Sequence, residues 1–284
     1  MPAEHKRTVF LTGAAAGIGA ATTRLLAERG HTVFAGIHRD PGSLAGLEGV
    51  RTVPVDVTDP PSVAAAAERV GAALDGAGLD AIVNNAGVIV QGPLELVPAA
   101  ELRRQFEINT FGPMQVAQAF LPLLRAARGR IVNVSAPTAR VPVPLMGPIG
   151  ASKAALASLS GSMRAELRAW GIPVVLVEPG GTETEIFAKA GAASEAALAD
   201  ADPARARLYR NHLEAFGEAA AKQKLGPVEP VARTIVKAIE ARRPRRWYGV
   251  GSGTRAFTAI SHLPDGARDR VVAAAFGLDR VEPG

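Results

Sequence analysis

Residues 8–30, TVFLTGAAAGIGAATTRLLAERG, constrain the fold more than any other stretch of the chain. Thr8 to Leu11 is a short apolar run of strand formers, closed by Thr12-Gly13. Gly17 and Gly19 come next, and then Ala20, Ala21, Leu25 and Leu26 recur at helical spacing until Gly30 stops the run. The pattern is strand, glycine turn, helix. Glycines let a backbone come close to a phosphate, and a helix N-terminus offers it free N–H groups and a partial positive charge. Because both flanking elements are readable, Thr12, Gly13, Gly17, Ile18 and Gly19 are read as a dinucleotide-binding turn.

Strand-like and helix-like runs then alternate. Strands are expected at 31–37, 51–55, 81–84, 130–135 and 173–177, and helices at 61–74, 102–126 and 152–169. Such alternation gives an α/β fold, a single-domain Rossmann-type doubly wound parallel sheet with helices on both faces. The 284 residues, 48% hydrophobic and 21% charged, can bury the core this needs. Ligands of such sheets bind outside the strands' carboxyl ends, where the strand order reverses, so informative residues are sought just after strands.

After the second strand, a site for NAD places a carboxylate about twenty residues beyond the glycines to hold the adenine ribose. Here Ile37 is followed by His38 and Arg39, which suit a 2′-phosphate, so NADP(H) is favoured over NAD(H). After the third strand, Asp56-Val57 can meet the adenine amino group, or Asp56 can simply open a turn with Thr58-Asp59. After the fourth comes Asn84-Asn85-Ala86-Gly87, where small residues let the chain run beside a cofactor and the amides can tie strand ends together.

These motifs in this order, TGAAAGIG, DV and NNAG, resemble the short-chain dehydrogenase/reductase (SDR) family. INTFG with Asn109, GRIVNVS, ASKAAL with Ser152-Lys153, and PGGTET at 179–184 extend the resemblance. It is close over residues 8–184 and looser to about Gly251. The resemblance implies that Asn85, Ala86 and Gly87 border the cofactor, that Lys153 holds its nicotinamide ribose, and that Pro179, Gly180 and Thr184 touch its nicotinamide side. It also implies a reaction run by Asn, Ser, Tyr and Lys, in which the Tyr exchanges a proton with a carbonyl or alcohol oxygen. Asn109 and Lys153 match. The Tyr position falls on Ile149 and the Ser position on Ala136. The only tyrosines, Tyr209 and Tyr248, lie far from Lys153 in sequence. Ile149 has no proton to give. Ser135 and Thr138 flank Ala136, and strand alternation turns Ser135 to the opposite face, which leaves Thr138 as a displaced hydroxyl.

Three readings are open. Hydride passes to an acceptor that needs no strong acid, such as an iminium, an enone or a quinone-like ring. Alternatively the pocket runs a redox-neutral cyclisation, dehydration or isomerisation, or the protein is a non-catalytic NADP(H) sensor. Glu183, Glu185, Tyr209 and His212 are candidate replacement acids. Residues 185–225, Ala-rich with Ile186, Phe187 and Phe216, form a helical insertion that by the resemblance covers a medium or large apolar substrate. Residues 252–284 are a C-terminal extension of the same domain. The resemblance also implies a homodimer or homotetramer through the helices at 102–126 and 152–169.

Other classes are disfavoured. There are no cysteines, which excludes disulfides and thiolate chemistry, and the five histidines have no metal-ligand spacing. The net charge is +5, but acids are interspersed, and the cluster Arg242, Arg243, Arg245 and Arg246 reads as a solvated helix end rather than a nucleic-acid patch. MPAEHKR runs straight into the first strand, and no apolar run spans a bilayer, so no leader, no membrane anchor and a cytoplasmic setting are expected.

Overall fold

The computed structural model describes residues 6–282. Seven strands form one sheet: β1 (Thr8–Thr12), β2 (Thr32–Ile37), β3 (Val50–Pro54), β4 (Ala81–Asn84), β5 (Arg130–Val134), β6 (Val174–Pro179) and β7 (Trp247–Val250). Their order is β3-β2-β1-β4-β5-β6-β7, and every pairing is parallel. The order reverses between β1 and β4, which opens a crevice at their carboxyl ends.

The strands read as continuous apolar runs because both faces are covered. One face presents Val9 and Leu11 of β1, Val33 of β2, Val83 of β4 and Val132 of β5. It packs on Leu26 of helix α1 (Gly17–Glu28), and on a later helix that supplies Val231, Ile235 and Ile239. The other face presents Phe10, Phe34, Ile82, Ile131 and Val174. Helix α2 (Pro60–Leu74) covers it with Val63 and Val70, and Phe120 of a second helix stacks on Phe10 with ring centres 4.2 Å apart. Each such buried side chain contributes about 1.5–3 kcal/mol.

The expected helix over 102–126 is in fact three pieces: α3 (Ala99–Phe106), a π-turn over Glu107–Phe111, and α4 (Gly112–Ala127). Pro113 explains the break, since it has no N–H to return to the Asn109 carbonyl one turn back. The helix expected over 152–169 starts earlier, as α5 (Gly147–Glu166), and ends in a 3₁₀ turn over Leu167–Trp170. Pro148 sits in its first turn, where a missing N–H costs nothing. Ile149 and Lys153 therefore share one continuous helix, four residues apart.

Beyond β6 come α6 (Glu185–Ala199), α7 (Pro203–Leu208), α8 (Arg210–Lys222) and α9 (Glu229–Glu240). After β7 come α10 (Thr254–Ile260) and α11 (Asp265–Ala275). The arginine cluster at 242–246 lies in the exposed link after α9. No described helix is long and apolar enough to cross a membrane.

Candidate functional site

At the switch point, side chains lock the ends of β1 and β4 together. Thr12 Oγ1 accepts from the backbone N–H groups of Asn85 and Ala86, both at 3.1 Å. Asn85 Nδ2 donates to the carbonyls of Thr12 and Gly13, also at 3.1 Å. Behind them Asn84 Nδ2 donates to Asn133 Oδ1 at 2.8 Å, and Asn133 Nδ2 donates to Ser160 Oγ at 2.8 Å. This chain of amides ties β4, β5 and α5 into one rigid floor.

The glycine turn stands on that floor with no room for side chains. Gly13 has φ +65°, and a Cβ there would lie 2.9 Å from the Ala86 Cα. One on Gly19 would run into the Gly13 carbonyl and lie 2.7 Å from Asn85 Nδ2. Gly17, at φ +50°, faces Thr184, whose Cγ2 would be 2.9 Å from an added Cβ. The α1 N-terminus is thus bare backbone opening on a cavity of about 900 Å³. Gly13, Gly17, Ile18, Asn85, Ala86, Gly87, Asn109, Lys153, Pro179, Gly180 and Thr184 all line it. A pyrophosphate fits such a cradle, and the residues present suit a nicotinamide dinucleotide.

Asn109 lies in the π-turn, fully buried. Its Oδ1 accepts from Val88 N and its Nδ2 donates to Val88 O, each at 2.9 Å. Gln105, which sequence reasoning misses, acts beside it. Its Nε2 donates to Val88 O at 2.8 Å and its Oε1 accepts from Val90 N at 2.6 Å. Together the two amides hold the strip after β4 against the cavity. A lone glutamine in a helix gives no sequence signal of that task.

Lys153 Nζ donates to the Val134 carbonyl at 2.7 Å, and burial pushes its pKa down to about 8. Ile149, 5% exposed, and Ala136 stand in the cavity wall near it. Strand alternation turns Ser135 away, but in the structure it lines the cavity with Ala136 and Thr138. The reason is that β5 ends at Val134, so alternation no longer governs residue 135. The hydroxyls of Ser135 and Thr138 are both buried without a hydrogen-bond partner among the described residues.

The replacement acids divide. Glu183 and Glu185 line the cavity, with Glu185 paired to Lys189 at 2.8 Å. Tyr209 and His212 do not line it. They lie at the α7–α8 junction, where the Tyr209 hydroxyl donates to Glu95 Oε2 at 2.9 Å on the exposed surface.

The adenine-side residues also stand outside the cavity wall. His38 and Arg39 are exposed just past β2, and His38 Nε2 lies 3.4 Å from Asp56 Oδ2. Asp56 Oδ1 accepts from the Thr58 N–H at 2.9 Å and the Thr58 hydroxyl at 2.7 Å, so it does open a turn. The hydroxyl bond leads in holding its carboxyl below the usual range, against partial desolvation. Val57 is buried and packs on Gly112, where a Cβ would lie 3.0 Å from Val57 Cγ2.

Several cavity residues give no sequence signal. Arg24 projects from α1 and Phe276 comes from the C-terminal segment, which also supplies Phe257, a residue the sequence offers either to the pocket or to a subunit interface. Phe276 stacks on Phe216 of α8 with ring centres 5.3 Å apart. Deeper in β6, Glu178 is buried and bonded to Arg140 Nε at 3.2 Å, while Arg140 lies over the Trp247 ring. Burial pushes Glu178 up, with the Trp247 indole and Arg140 opposing it.

Parallel sheet, switch-point crevice and glycine cradle define a fold of the dinucleotide-binding type. A model of the short chain dehydrogenase family matches residues 7–195, and the chain belongs to that family. The human 17-beta-hydroxysteroid dehydrogenase type 2 is 34% identical over 100% of this chain and 77% of its own length. The NADPH-dependent 3-dehydrocapnine reductase of Ornithobacterium rhinotracheale is 31% identical over 93% of this chain and 95% of its own. Among solved structures, a short chain dehydrogenase from Burkholderia cenocepacia in complex with NADP superposes with a TM-score of 0.72. It is 25% identical and covers 95% of this chain and 97% of that one. The relatives are oxidoreductases of the same fold.

Proposed function

We propose that this protein is an NADP(H)-dependent reductase of non-standard chemistry. Its acceptor is activated, an iminium, an enone or a quinone-like ring, on a medium or large apolar molecule. One observation carries the reading: a single cavity brings together the glycine turn and the residues expected on the nicotinamide side, while Ile149 and Ala136 form an apolar wall near the buried Lys153 ammonium. The NADPH-dependent relative and the NADP-bound neighbour support the choice of cofactor.

When bound, NADPH supplies a hydride equivalent. The turn from Gly13 to Gly19 would seat the pyrophosphate, and Lys153 would hold the nicotinamide ribose, as the family resemblance implies. Asn109 and Gln105 fix the Val88 backbone in the cavity wall. Ile149 and Ala136 exclude water from the reacting face. An iminium becomes a neutral amine without gaining a proton, so no acid is needed. At oxygen, an enolate or a hydroquinone anion is far less basic than an alkoxide, so solvent or Lys153 suffices to protonate it there. Phe187, Phe216, Phe257 and Phe276 suit an apolar substrate, with 185–225 as its cover. Phe111 and Leu159, 47% and 39% exposed beside α4 and on α5, support assembly as a homodimer or homotetramer.

The experiment supplies NADPH deuterated at C4 with a panel of cyclic iminium ions, enones and quinones, and weighs the products. One deuterium per reduced product is expected. Conversion without deuterium would move the reaction to the redox-neutral class.

A further inference from the structure

An NADP(H) enzyme must distinguish its cofactor by the adenosine 2′-phosphate, and a side chain's role in doing so rests on the function proposed above. Sequence order nominates Arg39, yet Arg39 does not line the cavity. Arg24 does, together with Ala15, Ala16 and Gly17 of the glycine turn. On α1, Gly17, Ala20, Ala21 and Arg24 share one stripe, and helical side chains lean toward the N-terminus, so Arg24 runs back toward the turn.

A second contact fixes where the guanidinium ends. Arg24 Nη2 donates to Ser43 Oγ, in the 3₁₀ turn Gly42–Leu44 that follows β2. That turn abuts the glycine loop, since a Cβ on Gly42 would lie 3.9 Å from the Ala15 carbonyl oxygen. Asp40 is the one carboxylate between Ile37 and Leu47, and its Oδ1 already accepts from Gly42 N at 2.8 Å. That bond ties the carboxylate to its own turn and leaves Oδ2 open. A phosphate finds a planar fork with one N–H anchored and the others open.

We propose that Arg24, held in place by Ser43, binds the 2′-phosphate of NADP(H) and is the main determinant of its preference over NAD(H). Ser43 acts through Arg24 as a positioning residue. Removing the guanidinium from a phosphate in such a site weakens binding about tenfold or more.

The test is titration of the intact protein with NADPH and, separately, NADH, following cofactor fluorescence. Arg24→Gln should weaken NADPH about tenfold or more and leave NADH within about twofold. Ser43→Ala should weaken NADPH by a few-fold and NADH not at all, with Arg24→Lys intermediate because it keeps charge without the fork. Arg24 is exposed, so these variants should fold as the parent does. Unchanged NADPH affinity in Arg24→Gln, or an equal loss for both cofactors, would overturn the assignment. If Arg39→Ala alone abolishes the preference, Arg39 holds the phosphate instead. A parent that binds NADH as tightly as NADPH also overturns it while leaving the dinucleotide site standing, whereas a parent that binds neither defeats the proposed function itself.

Discussion

The two ends of the cavity are built by different means. At the glycine end, function rests on backbone: Gly13, Gly17 and Gly19 are fixed by what surrounds them, and any Cβ there meets neighbouring atoms at once. At the lysine end, function rests on side chains, and two of the four expected by family resemblance are replaced, by Ala136 and Ile149. Both replacements are small or apolar and pack into the wall without disturbing Lys153 or Asn109. A backbone site is part of the fold and is hard to lose without losing the fold. A side-chain site can be erased by substitutions that the core tolerates. Under the proposed function, the contrast would explain how a cofactor cradle is kept while the proton chemistry changes.

The sharpest way to break the contrast is to restore the missing hydroxyls. Ile149→Tyr with Ala136→Ser should add a proton donor beside Lys153 and raise reduction of a plain ketone by about 10²–10⁴-fold over the parent, read as NADPH consumption. No gain, in a double variant that folds and binds NADPH, would mean the lysine end differs by more than these two positions. The glycine end is tested by Gly19→Ala. Its Cβ collides with the Gly13 carbonyl, and the expected loss is about 2–4 kcal/mol, seen as a lowered melting temperature together with lost NADPH binding.

A smaller effect separates the ends by pH. Lys153 is buried with one backbone acceptor, and its pKa is lowered to about 8 from 10.5. Below pH 8 the ammonium is charged both folded and unfolded, and the fold carries the full cost of burying it. Between about pH 8 and 10.5 the folded protein releases the proton first, so Lys153 destabilises less as pH rises. Lys153→Met should therefore stabilise the protein without cofactor at pH 7 by about 1–3 kcal/mol, a gain that fades toward pH 10 in thermal melts. A gain independent of pH would mean that the buried charge is not the cause.

The glycine end is far more legible in the sequence than the lysine end. A strand, a glycine turn and a helix are contiguous, so Thr12 to Gly19 declare themselves, and the sheet follows from the same alternation. Asn109 and Lys153 are legible only through resemblance, because π-turn and helix bring them to the cavity from distant segments. Ser135 escapes the alternation rule because the strand ends one residue sooner than the sequence pattern suggests. Tyr209 and His212 are plausible acids by type, but nothing in their sequence says that the α7–α8 junction lies off the cavity wall. Arg24, Gln105 and Phe276 carry no local signal, since their roles arise from tertiary contacts with Ser43, Val88 and Phe216.

The central claim is that the dinucleotide cradle functions although the family's proton donor is gone. Native mass spectrometry of the purified protein with NADPH tests it most directly. The account predicts one NADPH per protomer, retained in Ile149→Tyr and lost in Gly19→Ala. A parent protein that takes up no NADPH at millimolar concentration would contradict it.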